Sequence, residues 1–398
     1  MIKKIPVAQL RPGMFIHDLD CGWMDHPFLR NRFTVTTEAE VHKVVAARIR
    51  EVYIDTARGD DVCDAPTAAE VKADLECGMA ATAQAPAPRV PLAEESARAR
   101  KVHSEAAAIV RNIMTDLRLG NQVRVEQVEP VVERMSDSIL RNSGALLSLC
   151  RVKNKDDYTF LHSVSVGALL IAFCRELGMD GDAIRQAGVG GMLHDVGKIR
   201  VPDAILNKPG KLTDEEFAVM KGHVVESRRI LEETPDVTPT ALQVAAQHHE
   251  RYDGSGYAEG LKGESISRIG QMAAICDVYD AITSDRVYHK GMAPAEALRK
   301  IFEWSKFHFN PQLTQAFLRC IGIYPIGTLV KLESGRLALV VDQCEGNLLR
   351  PLVRVIFHSR ANHYLPPEDL DLARSSAADR IVGHELPETW GIEPARFL

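Results

Sequence analysis

Four histidines and two aspartates gather in one stretch of this chain: His194-Asp195, His223, His248-His249 and Asp277. A fifth histidine, His162, precedes them. Each falls where the neighbouring residues read as an apolar helix or a helix end. A buried imidazole or carboxylate without a partner is strongly destabilising, so a core that carries this many must satisfy them together. A shared metal site does so. His194 offers a neutral nitrogen, and Asp195 a carboxylate able to bridge two ions. His162 and Asp277 complete one metal; His223, His248 and His249 complete a second that shares Asp195. Mixed imidazole and carboxylate ligation suits iron, manganese, zinc or nickel better than magnesium or calcium. Two such ions about 3.5–4 Å apart activate water and clamp phosphoryl oxygens, the usual arrangement for phosphodiester hydrolysis. Lys198, one turn after Asp195, can neutralise phosphate charge, and Arg286 can make a bidentate phosphate contact. Taken singly these residues decide little. A lone histidine on an apolar helix is more often a satisfied core residue, and His-Asp occurs by chance. The ordered set carries the reading.

These residues need helices to hold them. Between 145 and 321 several helical patterns follow one another with short connections, as in an all-α bundle. One runs over 157–177 with His162 on the side of Val166 and Leu169. A second covers 183–194, where Gly188, Gly190 and Gly191 permit close helix contact. Thr213 with Glu216 forms a capping box that opens the helix of His223. Thr238-Pro239 opens the next, which ends at His248-His249. The helix 269–283 carries Asp277. Upstream, 93–119 repeats apolar residues at i, i+3, i+4 and i+7, stopped by Gly120-Asn121, and a further helix covers 126–140. Bundle packing is the plain reading of the first of these. The alternatives are a relay between domains or pairing with a second chain to form a homodimer.

The flanks differ in character. Residues 1–77 read as a small α+β module, with an amphipathic stretch over 38–50 feeding the strand 51–55. His17, His26 and His42 are dispersed there and read as surface or packing residues. The Ala/Pro-rich segment 78–93 reads as a linker, and 94–144 as connecting helices. Beyond the bundle, 322–398 changes to strands over 327–332, 336–341 and 352–357, forming a small β appendage whose last residues, 374–398, show little pattern. His358, His363 and His384 read as surface residues.

The chain has 398 residues, enough for two or three domains, with a formal net charge of -6 that does not suggest a nucleic-acid binder. Eight cysteines are scattered without a CxxC pair, so a zinc ribbon or dithiol motif is not expected and reduced thiols of a cytoplasmic protein are. No export signal and no membrane span are expected from the pattern of apolar residues.

Several long motifs in order resemble the HD-GYP family of bacterial HD-superfamily phosphodiesterases. They are His194-Asp195-Val196-Gly197-Lys198, Ile205-Leu206-Asn207-Lys208-Pro209-Gly210, His248 through Tyr257, and Asp280 through Arg286. The resemblance covers 145–321, and more weakly 4–56, which looks like the small uncharacterised domain that often precedes this core. It implies a mainly α protein with an HD-superfamily helical bundle, and hydrolysis of cyclic di-GMP to pGpG and onward to GMP in some members. It also implies a centre containing iron or manganese, and a GGDEF-type cyclase as a partner class. The family's Gly-Tyr-Pro reads Gly256-Tyr257-Ala258 here. Proline fixes φ, so alanine should loosen that loop. Family members use the loop near the substrate mouth, which makes Gly256 and Tyr257 candidate substrate contacts. Members with three metals carry a glutamate four residues before the first histidine; here Tyr158 stands there, so two metals are expected. His289 occupies a position that is basic in many relatives, with Lys290 next to it as the candidate phosphate contact.

The reading is therefore a metal-dependent cyclic di-GMP phosphodiesterase, with Asp195 and Lys198 in the reaction and Asp253 or metal-bound water as the source of the leaving-group proton. Its rivals are a cyclic dinucleotide sensor that scarcely turns over, suggested by Ala258 and Tyr158, and a phosphodiesterase for another cyclic dinucleotide such as cyclic GMP-AMP.

Overall fold

The computed structural model describes residues 1–21, 28, 31–80, 90–150, 158–284, 291–343, 349–374 and 379–397. They divide into two compact units, Met1–Gly78 with Lys208–Ala218, and Met79–Asn207 with Val219–Leu398.

In the first unit the described residues form four strands, β1 (Ile2–Pro6), β2 (Phe15–Asp18), β3 (Phe33–Thr34) and β4 (Glu51–Asp55). They pair antiparallel in the order β1-β4-β2-β3, with Ile5 opposite Val52 and Ile16 opposite Ile54. Helix α1 (Glu38–Ala46) starts at a reciprocal capping box in which Thr37 and Glu40 satisfy each other's backbone N–H groups. Val44 of this helix packs with Ile5, Met14, Ile16, Val35, Val52 and Ile54 in a small core. Lys4, though buried, is held by Asp20 and Glu51, each at 2.7 Å. Helix α2 (Ala68–Ala80) runs into the segment read as a linker; residues 81–89 lie outside those described. The later segment Lys208–Ala218 belongs to this unit: Lys211 Nζ donates to the Phe28 carbonyl and to Asn31 Oδ1 at 3.0 Å.

The second unit is mainly α, as the pattern implies. Helices α3 (Leu92–Arg118) and α4 (Val125–Cys150) are followed by α5 (Tyr158–Glu176), α6 (Gly181–Leu193), α7 (Asp203–Leu206), α8 (Asp214–Glu232), α9 (Pro239–Gln247), α10 (Arg268–Thr283), α11 (Pro294–Trp304) and α12 (Pro311–Ile321). Helix α8 begins in the first unit and continues into this one. The cap residues named from sequence do their work: Thr238 Oγ1 accepts from Ala241 N, and Thr213 and Glu216 bond reciprocally.

Helices α3 and α4 are not mere connectors. Val102, Ala106, Val110, Ile113, Met114 and Leu117 of α3, and Val128, Val132 and Met135 of α4, share one apolar core with α5, α6 and α9–α12. That is the bundle-packing reading of the stripe. The pair is pinned by Arg141, whose guanidinium donates to both Glu95 oxygens at 2.6 and 2.9 Å. At Asn142 the backbone leaves helical geometry, and its side-chain amide donates to Val90 O. Close approach explains the glycines of α6. A Cβ on Gly191 would lie 2.6 Å from the Gly167 Cα of α5, and one on Gly190 3.0 Å from the Ala241 Cα of α9. The window Thr159–Glu176 reaches a mean hydropathy of 1.2 and is 72% buried, as a core helix is.

Among the described residues, the C-terminal part of this unit holds five strands rather than three. They are β5 (Leu329–Leu332), β6 (Arg336–Asp342), β7 (Leu352–His358), β8 (His363–Asp371) and β9 (Ile381–His384), antiparallel in the order β8-β7-β6-β5-β9. Two apolar clusters form on it. The stretch after 374, read as patternless, contributes β9, and buried Ile392 packs with Trp390 and Phe397 near Phe357.

Candidate metal centre

The residues come from five helices. His162 lies on α5, and His194 caps the C-terminus of α6. Asp195 follows and opens the short 3-10 turn Val196–Arg200, which carries Lys198. His223 lies on α8, His248 caps α9 with His249 next, and Asp277 lies on α10.

All seven predicted ligands are brought together and buried, none more than 5% exposed. Asp195 Oδ2 lies 3.3 Å from His194 Nε2 and 3.5 Å from His162 Nε2. Its other oxygen lies 3.3 Å from His223 Nε2 and 3.8 Å from His248 Nε2. The two faces of one carboxylate therefore address two groups of imidazoles. Asp277 is divided in the same way, which the sequence reading did not foresee: Oδ1 lies 3.0 Å from His162 Nε2, and Oδ2 3.6 Å from His249 Nδ1. The donor atoms of His162, His194 and Asp277 lie within 4.8 Å of one another, as do those of His223, His248 and His249.

A metal fits this donor set. His194 Nε2 and Asp195 Oδ1 are buried without a hydrogen-bond partner, a costly state that coordination relieves. The His223 and His248 Nε2 atoms face each other at 3.4 Å. Burial and the neighbouring His194 push His248 down to about 3, so it stays neutral and its lone pair free. Burial likewise holds His249 well below the usual histidine range, with His248 adding to the effect. Against the cost of burial, the histidines and Lys198 hold Asp195 ionised, and His162 and His249 do so for Asp277. Neutral imidazoles and ionised carboxylates are the ligand forms of these side chains. Lys198 Nζ donates to Asp195 Oδ2.

The other predicted residues sort differently. Arg286 and Lys290 lie outside the described residues, as does the side chain of Tyr158. Tyr257 stacks its ring on His249, with centroids 4.7 Å apart at 27°, and Lys221 Nζ sits 5.7 Å from its centroid. Gly256 is pressed against backbone: a Cβ there would lie 2.4 Å from Arg251 N. Both residues thus contact the segment that carries the ligands. Asp253 Oδ1 accepts from Ser255 N at 3.0 Å and Ser255 Oγ at 2.6 Å. Half-burial would raise its carboxyl, but His308 and Ser255 outweigh this and hold it below the usual carboxylate range.

Three residues had no role assigned from sequence, although Asp280 and Glu250 lie within the quoted motifs. Asp280 Oδ2 lies 2.6 Å from His162 Nδ1; its spacing of one turn from Asp277 was the available signal. Glu250, 1% exposed, accepts the backbone N–H groups of Glu259, Gly260 and Leu261 at 2.8, 3.1 and 3.0 Å. It clamps the loop that carries Ala258. Ser227 Oγ accepts from Gly197 N at 2.8 Å, holding the 3-10 turn of Lys198 onto α8.

Residues 142–313 match the HD domain, and residues 2–128 match a domain of unknown function (DUF3391). The HD domain is a divalent-metal-binding helical domain, and the buried His/Asp cluster falls inside it. The chain is 44% identical over 391 residues to the cyclic di-GMP phosphodiesterase PA4108 of Pseudomonas aeruginosa, covering 98% of this chain and 94% of the relative. It is 38% identical over 190 residues to the cyclic di-GMP phosphodiesterase response regulator RpfG of Xanthomonas campestris, covering 48% of this chain and 49% of that one. It is 36% identical over 156 residues to the 3'3'-cGAMP-specific phosphodiesterase 1 of Vibrio cholerae, covering 39% and 36%. The chain belongs to the HD-GYP family of HD-domain phosphodiesterases.

Proposed function

We propose that this protein is a cytoplasmic cyclic di-GMP phosphodiesterase of bacterial second-messenger signalling. It opens the cyclic dinucleotide to linear pGpG, and onward to GMP, at a centre of two transition-metal ions, iron or manganese foremost and zinc or nickel as substitutes. The observation that carries the reading is Asp195, whose two oxygens face His162 and His194 on one side and His223 and His248 on the other. When bound, paired ions supply Lewis acidity to phosphoryl oxygens and lower the pKa of water.

The chain's own residues do the rest. His162, His194 and Asp277 would hold one ion and His223, His248 and His249 the other, with the carboxylates of Asp195 and Asp277 facing both groups. Lys198 carries the positive charge nearest Asp195 and is the side chain we assign to the phosphate. Arg286 and Lys290 are assigned to phosphate as well. Tyr257 and Gly256 shape the mouth by packing on His249 and on the Arg251 backbone. Asp253, held ionised by Ser255 and His308, orders this turn and accepts hydrogen bonds, so the leaving-group proton comes from water rather than from it. A third ion is not part of the proposal, because Tyr158 stands where its glutamate would be. The Gly-Tyr-Ala loop is the surface we assign to a GGDEF-type cyclase. Seven described cysteines are free thiols, in keeping with a reducing compartment.

Asp195→Asn tests the reading. It keeps the size of the side chain and removes the charge that both ions share. Hydrolysis of cyclic di-GMP should fall by at least a thousandfold, with fewer than two ions retained per chain; full turnover with one ion would remove the bridging role. The likeness to a cGAMP-specific enzyme gives a second substrate reading. Competition between cyclic di-GMP and 3'3'-cGAMP for turnover separates the two, and tight binding without product over hours would indicate a sensor.

A further inference from the structure

Four of the five imidazoles of the cluster are held from behind, in two different ways. His194 Nδ1 lies 2.7 Å from Gly191 O, His223 Nδ1 2.7 Å from Met220 O, and His248 Nδ1 2.9 Å from Ala245 O. Each is a neutral carbonyl three residues earlier in the chain. His162 is held by a carboxylate instead, Asp280 Oδ2 at 2.6 Å from its Nδ1. Both side chains are buried, His162 to 1% and Asp280 to 4% exposure. Asp280 sits one turn beyond Asp277 on α10, so one helix supplies a ligand and the support of another ligand. All four backing groups fix the tautomer, with the proton on Nδ1 and the Nε2 lone pair facing the centre. Only the carboxylate also adds a negative charge and makes the ring a stronger donor.

We propose that Asp280 is a positioning residue that makes the His162/His194/Asp277 subsite bind its ion more tightly than the His223/His248/His249 subsite. The inference rests on the two-metal reading and adds an asymmetry to it. One ion is the resident of the site, and the other exchanges first. A chelator therefore strips the centre in two steps.

The test uses the full chain with Mn2+ as the probe, titrated against a competing chelator, with ions per chain and the manganese spectrum as readouts alongside turnover. Asp280→Asn is nearly isosteric and keeps an oxygen acceptor, so a thermal midpoint close to wild type shows that the fold has survived. Loss of such a backing carboxylate lowers metal affinity about 10–100-fold. We expect that loss at one site only. In a His223→Ala background, Asp280→Asn should still weaken the remaining ion; in a His162→Ala background it should change nothing. If both sites weaken equally, if the effect survives in His162→Ala, or if wild type and Asp280→Asn hold two ions with the same affinities, the inference is overturned while the two-metal reading stands. A wild-type chain that takes up no ion overturns both.

Discussion

Gly197 in the His-Asp-Val-Gly-Lys motif is where a single methyl should do the most harm. It lies in the turn between Asp195 and Lys198, against α8. A Cβ built on it would lie 2.1 Å from the His223 carbonyl oxygen, 2.4 Å from Ser227 N and 2.8 Å from Ser227 Oγ. Two of these are backbone atoms of a helix, which cannot swing aside as a side-chain tip can. For Gly197→Ala the turn and the helix must separate by roughly 1 Å before the contact becomes tolerable, and overpacking of this kind costs about 1–3 kcal/mol. The same separation moves Asp195 from His223, now 3.3 Å apart, and ligand distances in metal sites hold to about 0.2 Å. Displacements near 1 Å in positioned groups cost about a hundredfold in rate. The Gly197→Ala protein should lose an ion from the His223 side, lose about 100-fold in turnover of cyclic di-GMP, and melt several degrees lower. Metal analysis, product chromatography and a thermal melt on one preparation check all three. Two ions per chain and turnover within threefold of wild type would refute the claim that this glycine seats Asp195 against His223.

Other perturbations follow from the same geometry. Glu250→Gln replaces one acceptor oxygen with an amide facing a backbone N–H; charge-assisted bonds of this kind are each worth about 1.5–3 kcal/mol, though water can reach this loop. Tryptic cleavage at Lys262 should accelerate about tenfold, and an unchanged rate would show that Glu250 does not hold the loop. Among the described thiols, exposed Cys63 and Cys77 should react with a disulfide reagent at pH 8. Cys174, pushed up to about 12 by burial, should react only after unfolding, as should the buried Cys276. Rapid modification of these two in the folded protein would contradict their packing. Burial would raise the Glu95 carboxyl, but Arg141 outweighs it, with Ser138 adding to the effect, and lowers it. The stability this contributes is present above the ordinary glutamate range and is lost as pH falls through the depressed value. Arg141→Met should cost about 2 kcal/mol at pH 7, discounted for the partial exposure of the arginine, and this cost should shrink as pH falls through the depressed value. A denaturant titration across pH that shows no such change would remove the pair from the account.

The buried His/Asp cluster was legible because histidines and aspartates stand out against apolar helices, and the helix starts because Thr213, Thr238 and their partners are local signals. What the sequence hid is mostly non-local. The stripe on α3 requires a partner but does not say which, and the partner proves to be the bundle core itself. Strand β8 carries Pro366-Pro367, which argues against a central strand and is tolerated because β8 is an edge. The last residues fold because Trp390 meets Phe357, ring centroids 5.8 Å apart, across a long loop of sequence. Tyr257, a candidate substrate contact, also stacks on His249, and Lys208–Ala218 leaves the bundle's sequence to join the N-terminal unit. The second oxygen of Asp277 and the backing of His162 by Asp280 are matters of side-chain direction, which spacing alone does not give.

The most direct test of the central claim is anaerobic purification of the full chain, metal analysis, and immediate incubation with cyclic di-GMP followed by chromatography of the products. The account predicts two transition-metal ions per chain and the appearance of pGpG or GMP. Two ions with intact cyclic di-GMP, or product formed by a chain that holds no metal, would contradict it.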